Sequence, residues 1–471
     1  MPALSPLLEP RSIAVVGASA SAEKPGHIIL KNILANGFAG AVHPVNPRGG
    51  EILGRRAYPA LSAIPGELDL AVLVLPRESV LPVLKEAAGR GVRAAVIVSA
   101  GFAEVGPEGR RLQAELQEVA ARTGIRCLGP NTIGFLNRPN RLVATFIPFR
   151  DWQDGPISLM GQWGIFAGAL GDDLMDRESQ RLGIGKNVSF GNMMDLDEVD
   201  FLEYCVQDPK TGLVGVHVEA MRRPERFFDL AREAGLRKPV ILLKSGRTPE
   251  GAEAASRHTG ERATDEGRVR EGVARSGAVR ARDLDEFLGF LLGFSRQPLP
   301  RGKRVAVLSY SGGSNVLAVD ELTEAGLALA RLSGETRRKL GNLLPGWQPV
   351  FDPADIGVAQ GHENRKTHGE ALAAVLDDPG VDAVLYILCA VPNSDFDGVG
   401  ETFRSAASSH PEKPVFLVAM GGAVKRSWLR DLEDTRLPVY PTPSLPIRTL
   451  GAMHRLAAFR KSVPARTPPE A

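Results

Sequence analysis

Ser12-Ile13-Ala14-Val15-Val16-Gly17-Ala18-Ser19-Ala20-Ser21-Ala22-Glu23-Lys24-Pro25-Gly26 reads as a strand, a loop of small residues and the first turn of a helix. The apolar run has the β-branched character of a buried strand, and the helical pattern resumes at once over 27–35. A strand that feeds a helix through such a loop presents free backbone N–H groups and the positive end of the helix dipole, which together favour phosphate. The glycine spacing of the dinucleotide fingerprint is absent. The next strand, at 40–45, runs into Asn46-Pro47-Arg48. A ribose diol would call for an acidic residue there, whereas Arg48 suits a ribose that carries a phosphate, as in CoA or NADP. Left without a ligand, Arg48 would be a solvated turn residue.

The same alternation of short apolar strands and longer helices continues along the 471 residues, which predicts parallel sheets covered by helices. A first unit has strands at 12–16, 40–45, 70–75, 94–99 and 126–128. A second has strands at 157–160, 187–189, 213–219, 240–244 and 278–280. A third has strands at 305–308, 383–388, 415–418 and 439–440, with a last helix over 445–459. Two prolines and a glycine between Arg296 and Lys303 mark a linker. The expected organisation is therefore α/β throughout: a Rossmann-like unit at 1–150, two flavodoxin-like doubly wound units at 151–297 and 298–461, and a disordered proline-bearing tail at 462–471. Further ligand-facing turns fall at the carboxyl ends of strands in the first unit: Pro76, Ser99-Ala100-Gly101, and Gly129-Pro130-Asn131.

Composition narrows the class of partner. The 57 basic and 55 acidic side chains give a net charge of +2, which offers no electrostatic footprint for nucleic acid or a membrane surface. Cys127, Cys205 and Cys389 are odd in number and far apart, so they are read as reduced core thiols, with no disulfide framework and no metal site. No leader pattern or membrane-spanning run is seen, and a cytoplasmic protein is expected.

In the second unit the residue with chemistry to offer is His258, in Ser256-Arg257-His258-Thr259-Gly260. It follows the strand at 240–244, so it is expected on a loop at the ligand-bearing edge of a sheet. A neutral imidazole held by a carboxylate can attack phosphorus, whereas a loop histidine without such a partner is ordinary surface.

These residues carry a family resemblance. Val15-Val16-Gly17-Ala18-Ser19, Pro44-Val45-Asn46-Pro47, 99–104 and Leu128-Gly129-Pro130-Asn131 resemble the CoA-binding domain of NDP-forming acyl-CoA synthetases, the family of succinyl-CoA synthetase alpha subunits and ADP-forming acetyl-CoA synthetases. The resemblance extends over about 8–461. It implies coenzyme A at Gly17, Ala18, Ser19, Ser21, Lys24, Asn46, Arg48, Pro76, Ser99, Ala100, Gly101 and Asn131. It makes His258 the phosphorylated histidine and Glu219 its supporting carboxylate. Phosphate would be held by the turn Gly161-Gln162-Trp163-Gly164 and by Gly312 and Gly313 of Ser309-Tyr310-Ser311-Gly312-Gly313-Ser314. The family pattern departs at three places: Thr132 stands where the family usually has Cys, Gly161 and Trp163 where it has Ser, and 261–265 is charged where it is small and apolar. No stretch shows an ATP-grasp lid or a P-loop. The resemblance therefore implies an ATP-grasp beta subunit as partner, ATP or GTP with Mg in that partner, and a small carboxylic acid as substrate. The departures at Gly161, Trp163 and 261–265 favour a second reading, a non-catalytic CoA- or acyl-CoA-binding protein of the same fold; His258 and Glu219 argue against it.

Overall fold

The strand Ser12–Val16 is buried along its whole length and is an interior strand of a five-stranded parallel sheet. The order across that sheet is Ala41–Val45, Ser12–Val16, Leu70–Leu73, Ala94–Ile97 and Arg126–Leu128. Strands covered on both faces read as unbroken apolar runs, and residues 70–73 and 94–97 are almost wholly excluded from solvent. The helix Pro25–Ala35 begins with Pro25, whose fixed φ suits a first turn, and buries Ile29, Leu30 and Ile33 on one face. The helix Pro107–Thr123 opens after Gly106 and stops at Gly124, which is left-handed. The computed structural model describes residues 4–147, 154–164, 182–356, 364–389, 398–421, 432 and 435–463. Most of the tail expected at 462–471 lies outside them.

The second sheet has seven strands. Its order is Val279–Ala281, Val240–Lys244, Leu213–Val218, Ile157–Gly161, Ile184–Ser189, Gly134–Asn137 and Leu142–Thr145. The third runs Ala328–Leu329, Arg304–Ser309, Ala383–Cys389, Val415–Met420 and Val439–Tyr440, with Ala354–Asp355 beside Arg304–Ser309. In each sheet one early parallel strand has parallel neighbours on both sides: Ser12–Val16 between Ala41–Val45 and Leu70–Leu73, Ile157–Gly161 between Ile184–Ser189 and Leu213–Val218, and Arg304–Ser309 between Ala328–Leu329 and Ala383–Cys389. This makes a switch point where two adjacent crossovers leave in opposite directions.

The chain changes sheets earlier than the sequence boundary at 150. Gly134–Asn137 and Leu142–Thr145 form an antiparallel hairpin, and Gly134–Asn137 pairs antiparallel with Ile184–Ser189. Phe135, Leu136 and Leu142 to Ala144 are buried there, and Asn32 on the helix Pro25–Ala35 donates to the carbonyl of Thr145 at 2.8 Å. The hairpin thus joins the first two sheets in one compact unit that runs to Arg280.

A second compact unit begins at Ala281, before the linker at 296–303. The reason is the helix Leu284–Arg296, which packs on the last helix, Ser444–Ser462. Gly289 and Gly293 let the two helices approach closely: a methyl group on either would meet Leu445 or Thr449. Tyr440 Oη donates to the carbonyl of Gly289 at 2.8 Å.

Candidate active site

The parallel strands of the first sheet bring five loops to one edge. Gly17 has φ +88°, and a side chain there would strike the Val74 carbonyl. Glycine is required at this point because two strands meet behind the turn. Asn46 donates to the carbonyl of Ala18 at 2.8 Å and accepts from the Arg48 amide at 2.9 Å, so it ties the second loop to the first. Ser19 Oγ accepts from the Ser21 amide at 3.1 Å. Ser21, Lys24 and Arg48 are exposed. Ser99 Oγ donates to the Leu75 carbonyl at 2.6 Å, fixing the approach to Pro76. Asn131, in the left-handed region, donates its amide to the Ser99 carbonyl at 2.9 Å. Ala100 and Gly101 lie on the outer side of this cluster, Ala100 exposed. The structure therefore gathers at one strand edge every residue that the sequence reading placed in the first unit's site.

At the switch point of the second sheet, Glu219 follows the strand Leu213–Val218 and is buried. His258 Nδ1 lies 3.0 and 2.9 Å from its two carboxylate oxygens. His258 is in the last turn of the helix Pro249–Thr259 and not on a loop. The reason is local. Thr248 caps the helix by accepting from the Gly251 amide at 3.0 Å, Pro249 opens it, and left-handed Gly260 ends it. Half of the His258 side chain is exposed, against 9% of Glu219. The bond to Glu219, helped by its charge, raises the imidazole pKa above its ordinary value, against a smaller opposing effect of burial. A carboxylate only accepts, so Nδ1 carries the proton and the neutral ring keeps its lone pair on Nε2.

Gln162 builds the floor of this arrangement. Its Oε1 accepts from the amides of Glu219, at 2.5 Å, and Ala220, at 2.9 Å. Gly161 closes the strand Ile157–Gly161, and its carbonyl accepts from the Phe190 amide at 2.8 Å. The Trp163 ring lies 5.9 Å from that of His217. His217 Nε2 is 2.9 Å from Ser245 Oγ, and burial pushes its pKa down to about 4, so it stands neutral behind the turn. Gly164 follows beside Ile133. Gly312 and Gly313 belong to the second compact unit, where they open the helix Gly312–Glu324 behind the cap Ser311.

Two domain families match the chain: a CoA binding domain over residues 11–138 and a succinyl-CoA ligase like flavodoxin domain over 154–293. The chain is 36% identical over 442 residues to the alpha subunit of acetate–CoA ligase [ADP-forming] II of Pyrococcus furiosus, covering 92% of this chain and 93% of that one. It is 34% identical over 465 residues to acetate–CoA ligase [ADP-forming] II of Archaeoglobus fulgidus, covering 98% of this chain and 68% of that protein. Among solved structures, an acetyl-coenzyme A synthetase 1 of Ca. Korarchaeum cryptofilum in complex with phosphate and ADP superposes with a TM-score of 0.89. The identity is 33%, over 98% of this chain and 99% of that one.

The chain belongs to the ADP-forming acyl-CoA ligases.

It has the length and domain content of the ligase alpha subunit, with a CoA-binding domain ahead of the ligase domains. Its matches are named ligases, and the His258–Glu219 pair is intact, so a non-catalytic CoA-binding protein is not the favoured reading. The segment 261–265, whose charge set it apart in the sequence, is used by the fold. Glu261 pairs with Arg222 at 2.7 Å, Thr264 Oγ1 accepts from the Met221 amide at 2.6 Å, and Asp265 caps the helix Glu266–Ser276. These bonds clamp the chain just after Glu219. Ser245 and His217 were not named as site residues by the sequence reading, because the contact that joins them spans 28 positions. No helix among the described residues is long and apolar enough to cross a membrane.

Proposed function

We propose that this ligase subunit relays a phosphoryl group through His258 during the reaction carboxylate + CoA + ATP ⇌ acyl-CoA + ADP + phosphate. The observation that carries the proposal is the pairing of His258 Nδ1 with the buried carboxylate of Glu219. That pairing leaves Nε2 as the nucleophile, and the charge of Glu219 supports the phosphorylated ring. ATP loses its terminal phosphoryl group to Nε2. The phosphohistidine passes the group to the substrate carboxylate, giving an acyl phosphate and restoring His258. The CoA thiol then attacks the acyl carbon and releases phosphate. The backbone of the Gly161–Gly164 turn would hold the transferred phosphate, since amides need no side-chain hydroxyl for the task. Gly312 and Gly313 open the helix Gly312–Glu324 of the second compact unit, and its N-terminus is by itself suited to an anion.

Coenzyme A fits the edge of the first sheet. The crowded Gly17 turn leads to the helix Pro25–Ala35, whose N-terminus has no side-chain cap, with Lys24 and Arg48 exposed nearby. The 17–24 loop, with Asn46 and Arg48, would take the phosphates. Pro76, Ser99, Ala100, Gly101 and Asn131 would line the pantetheine arm. Calorimetry on the full chain is expected to show CoA binding tighter than NAD or NADP by roughly tenfold or more, about 1.4 kcal/mol. NAD binding without CoA binding would sink this assignment.

The nucleotide, ATP or GTP with its magnesium, would sit in an ATP-grasp beta subunit, because phosphoryl transfer needs that charge neutralisation and the sequence has no ATP-grasp or P-loop pattern. The chain alone should therefore give no CoA-dependent release of ADP. With the partner and a substrate acid it should turn over and take label from [γ-32P]ATP. Turnover by the single chain, free of other subunits, would contradict the division of labour.

A further inference from the structure

We propose that Glu104 is a positioning residue through which the CoA-side turn at 99–101 sets the placement of His258. The inference rests on the reading of that turn as part of the CoA site and of His258 as the phosphoryl carrier.

Glu104 gathers backbone donors from the turn. Its Oε1 accepts from the Gly101 amide at 2.6 Å, and its Oε2 from the Phe102 amide at 3.1 Å. The same Oε2 accepts from Asn192 Nδ2 at 2.6 Å. Asn192 is 1% exposed and follows the strand Ile184–Ser189 of the second sheet. Its Nδ2 also reaches Gln113 Oε1 at 3.0 Å, and its Oδ1 accepts from Asn131 Nδ2 at 3.3 Å. One buried amide thus links the 101–104 turn, the 129–131 turn and the second sheet. Buried polar contacts that are all satisfied hold a single geometry, since no other arrangement keeps every bond.

The other side of this turn meets the helix that carries His258. Ala103 donates its amide to Gln113 Oε1 at 3.3 Å, and its carbonyl faces Gly260. A methyl group on Gly260 would stand 2.7 Å from that oxygen, and Gly260 has φ +72°. Gly260 is the left-handed cap of the helix and donates to the Ser256 carbonyl at 3.0 Å. A shift of Ala103 therefore bears directly on the turn that holds His258, two residues before the cap. Packed contacts this close transmit displacement and do not absorb it.

The test is NMR of the full chain with labelled histidine, following the His258 ring with and without CoA, alongside calorimetry for CoA. In the wild type, CoA is expected to move the His258 ring resonances. In Glu104→Ala, CoA should still bind, with Kd raised no more than about tenfold, and at saturation the His258 resonances should stay where they are. A variant that had merely become less stable would bind CoA more weakly without uncoupling the two. If Glu104→Ala does not fold, Glu104→Gln serves: it keeps an acceptor for the Gly101 amide but turns a donor toward Asn192 Nδ2, and should keep only part of the response. An undiminished response in either variant, or no response in a wild type that binds CoA, overturns the proposal. A wild type that binds no CoA at millimolar concentration strikes the CoA reading itself and takes the coupling with it.

Discussion

His258→Asn is expected to abolish the acid-labile, base-stable phosphoryl label that the chain takes from ATP in the presence of its partner. Asparagine is close in size and can still donate to Glu219, so the turn should keep its shape. It has no nucleophilic nitrogen, so nothing remains to receive the group. Removing a covalent nucleophile costs at least on the order of 10³-fold, and labelling should fall to background. CoA affinity should stay within about threefold, because the histidine itself is not expected to touch CoA and the substitution leaves Gly260, where the helix meets the Ala103 carbonyl, in place. Label that persists at full level in the variant would place the phosphoryl group elsewhere. A wild type that takes no label with a proven partner and acid would remove the relay altogether.

Glu219→Gln should lower labelling by on the order of 10- to 100-fold, the size of effect that losing a carboxylate partner has on an oriented imidazole at metal sites. It should also move the pH dependence. In the wild type the carboxylate raises the His258 pKa, so the ring gives up its proton only above the ordinary value of 6.5. Labelling needs the neutral ring and should rise as pH passes through that raised value. With Gln the charge is gone and the midpoint should fall to lower pH, which a histidine NMR titration reads directly. The stability linkage has the same direction. The protonated pair supports the fold fully below about pH 6.5, and the support is lost as pH rises through the raised folded value. Half exposure of His258 keeps that contribution small. A midpoint unchanged in the variant would show that Glu219 does not govern the histidine.

The alternation of apolar runs and helical patterns made the three parallel sheets legible, because strands covered on both faces cannot hide their composition. The Gly17 turn was legible for a similar reason, since crowding behind it admits only glycine. The helix around His258 was within reach of local signals: Thr248 and Pro249 mark a start and Gly260 a stop, yet the position after a strand had suggested a loop. The His258–Glu219 pair spans 39 positions of sequence, and no local pattern announces it; only the family resemblance pointed there. The same holds for Asn192, whose three side-chain partners come from residues 104, 113 and 131. The charged stretch 261–265 was read as a departure of the site, whereas its side chains are spent on an ion pair, a turn and a helix cap. The boundary at 150 was drawn from the strand and helix pattern and that at 297 from the prolines and glycine of 296–303, whereas the hairpin at 134–145 pairs with Ile184–Ser189 and the helix Leu284–Arg296 packs on Ser444–Ser462.

That hairpin has a consequence for how the protein can be divided. A fragment ending at 150 would carry Gly134–Asn137 and Leu142–Thr145 without the Ile184–Ser189 strand on which they are laid. It would expose an unpaired strand edge flanked by Phe135 and Leu136, the kind of surface that recruits other chains. A fragment ending at 133 would spare that edge but strip the cover from the helix Pro25–Ala35. A cut between the first two sheets is therefore expected to destabilise the pieces on both sides of it, and the first boundary between compact units lies near Arg280.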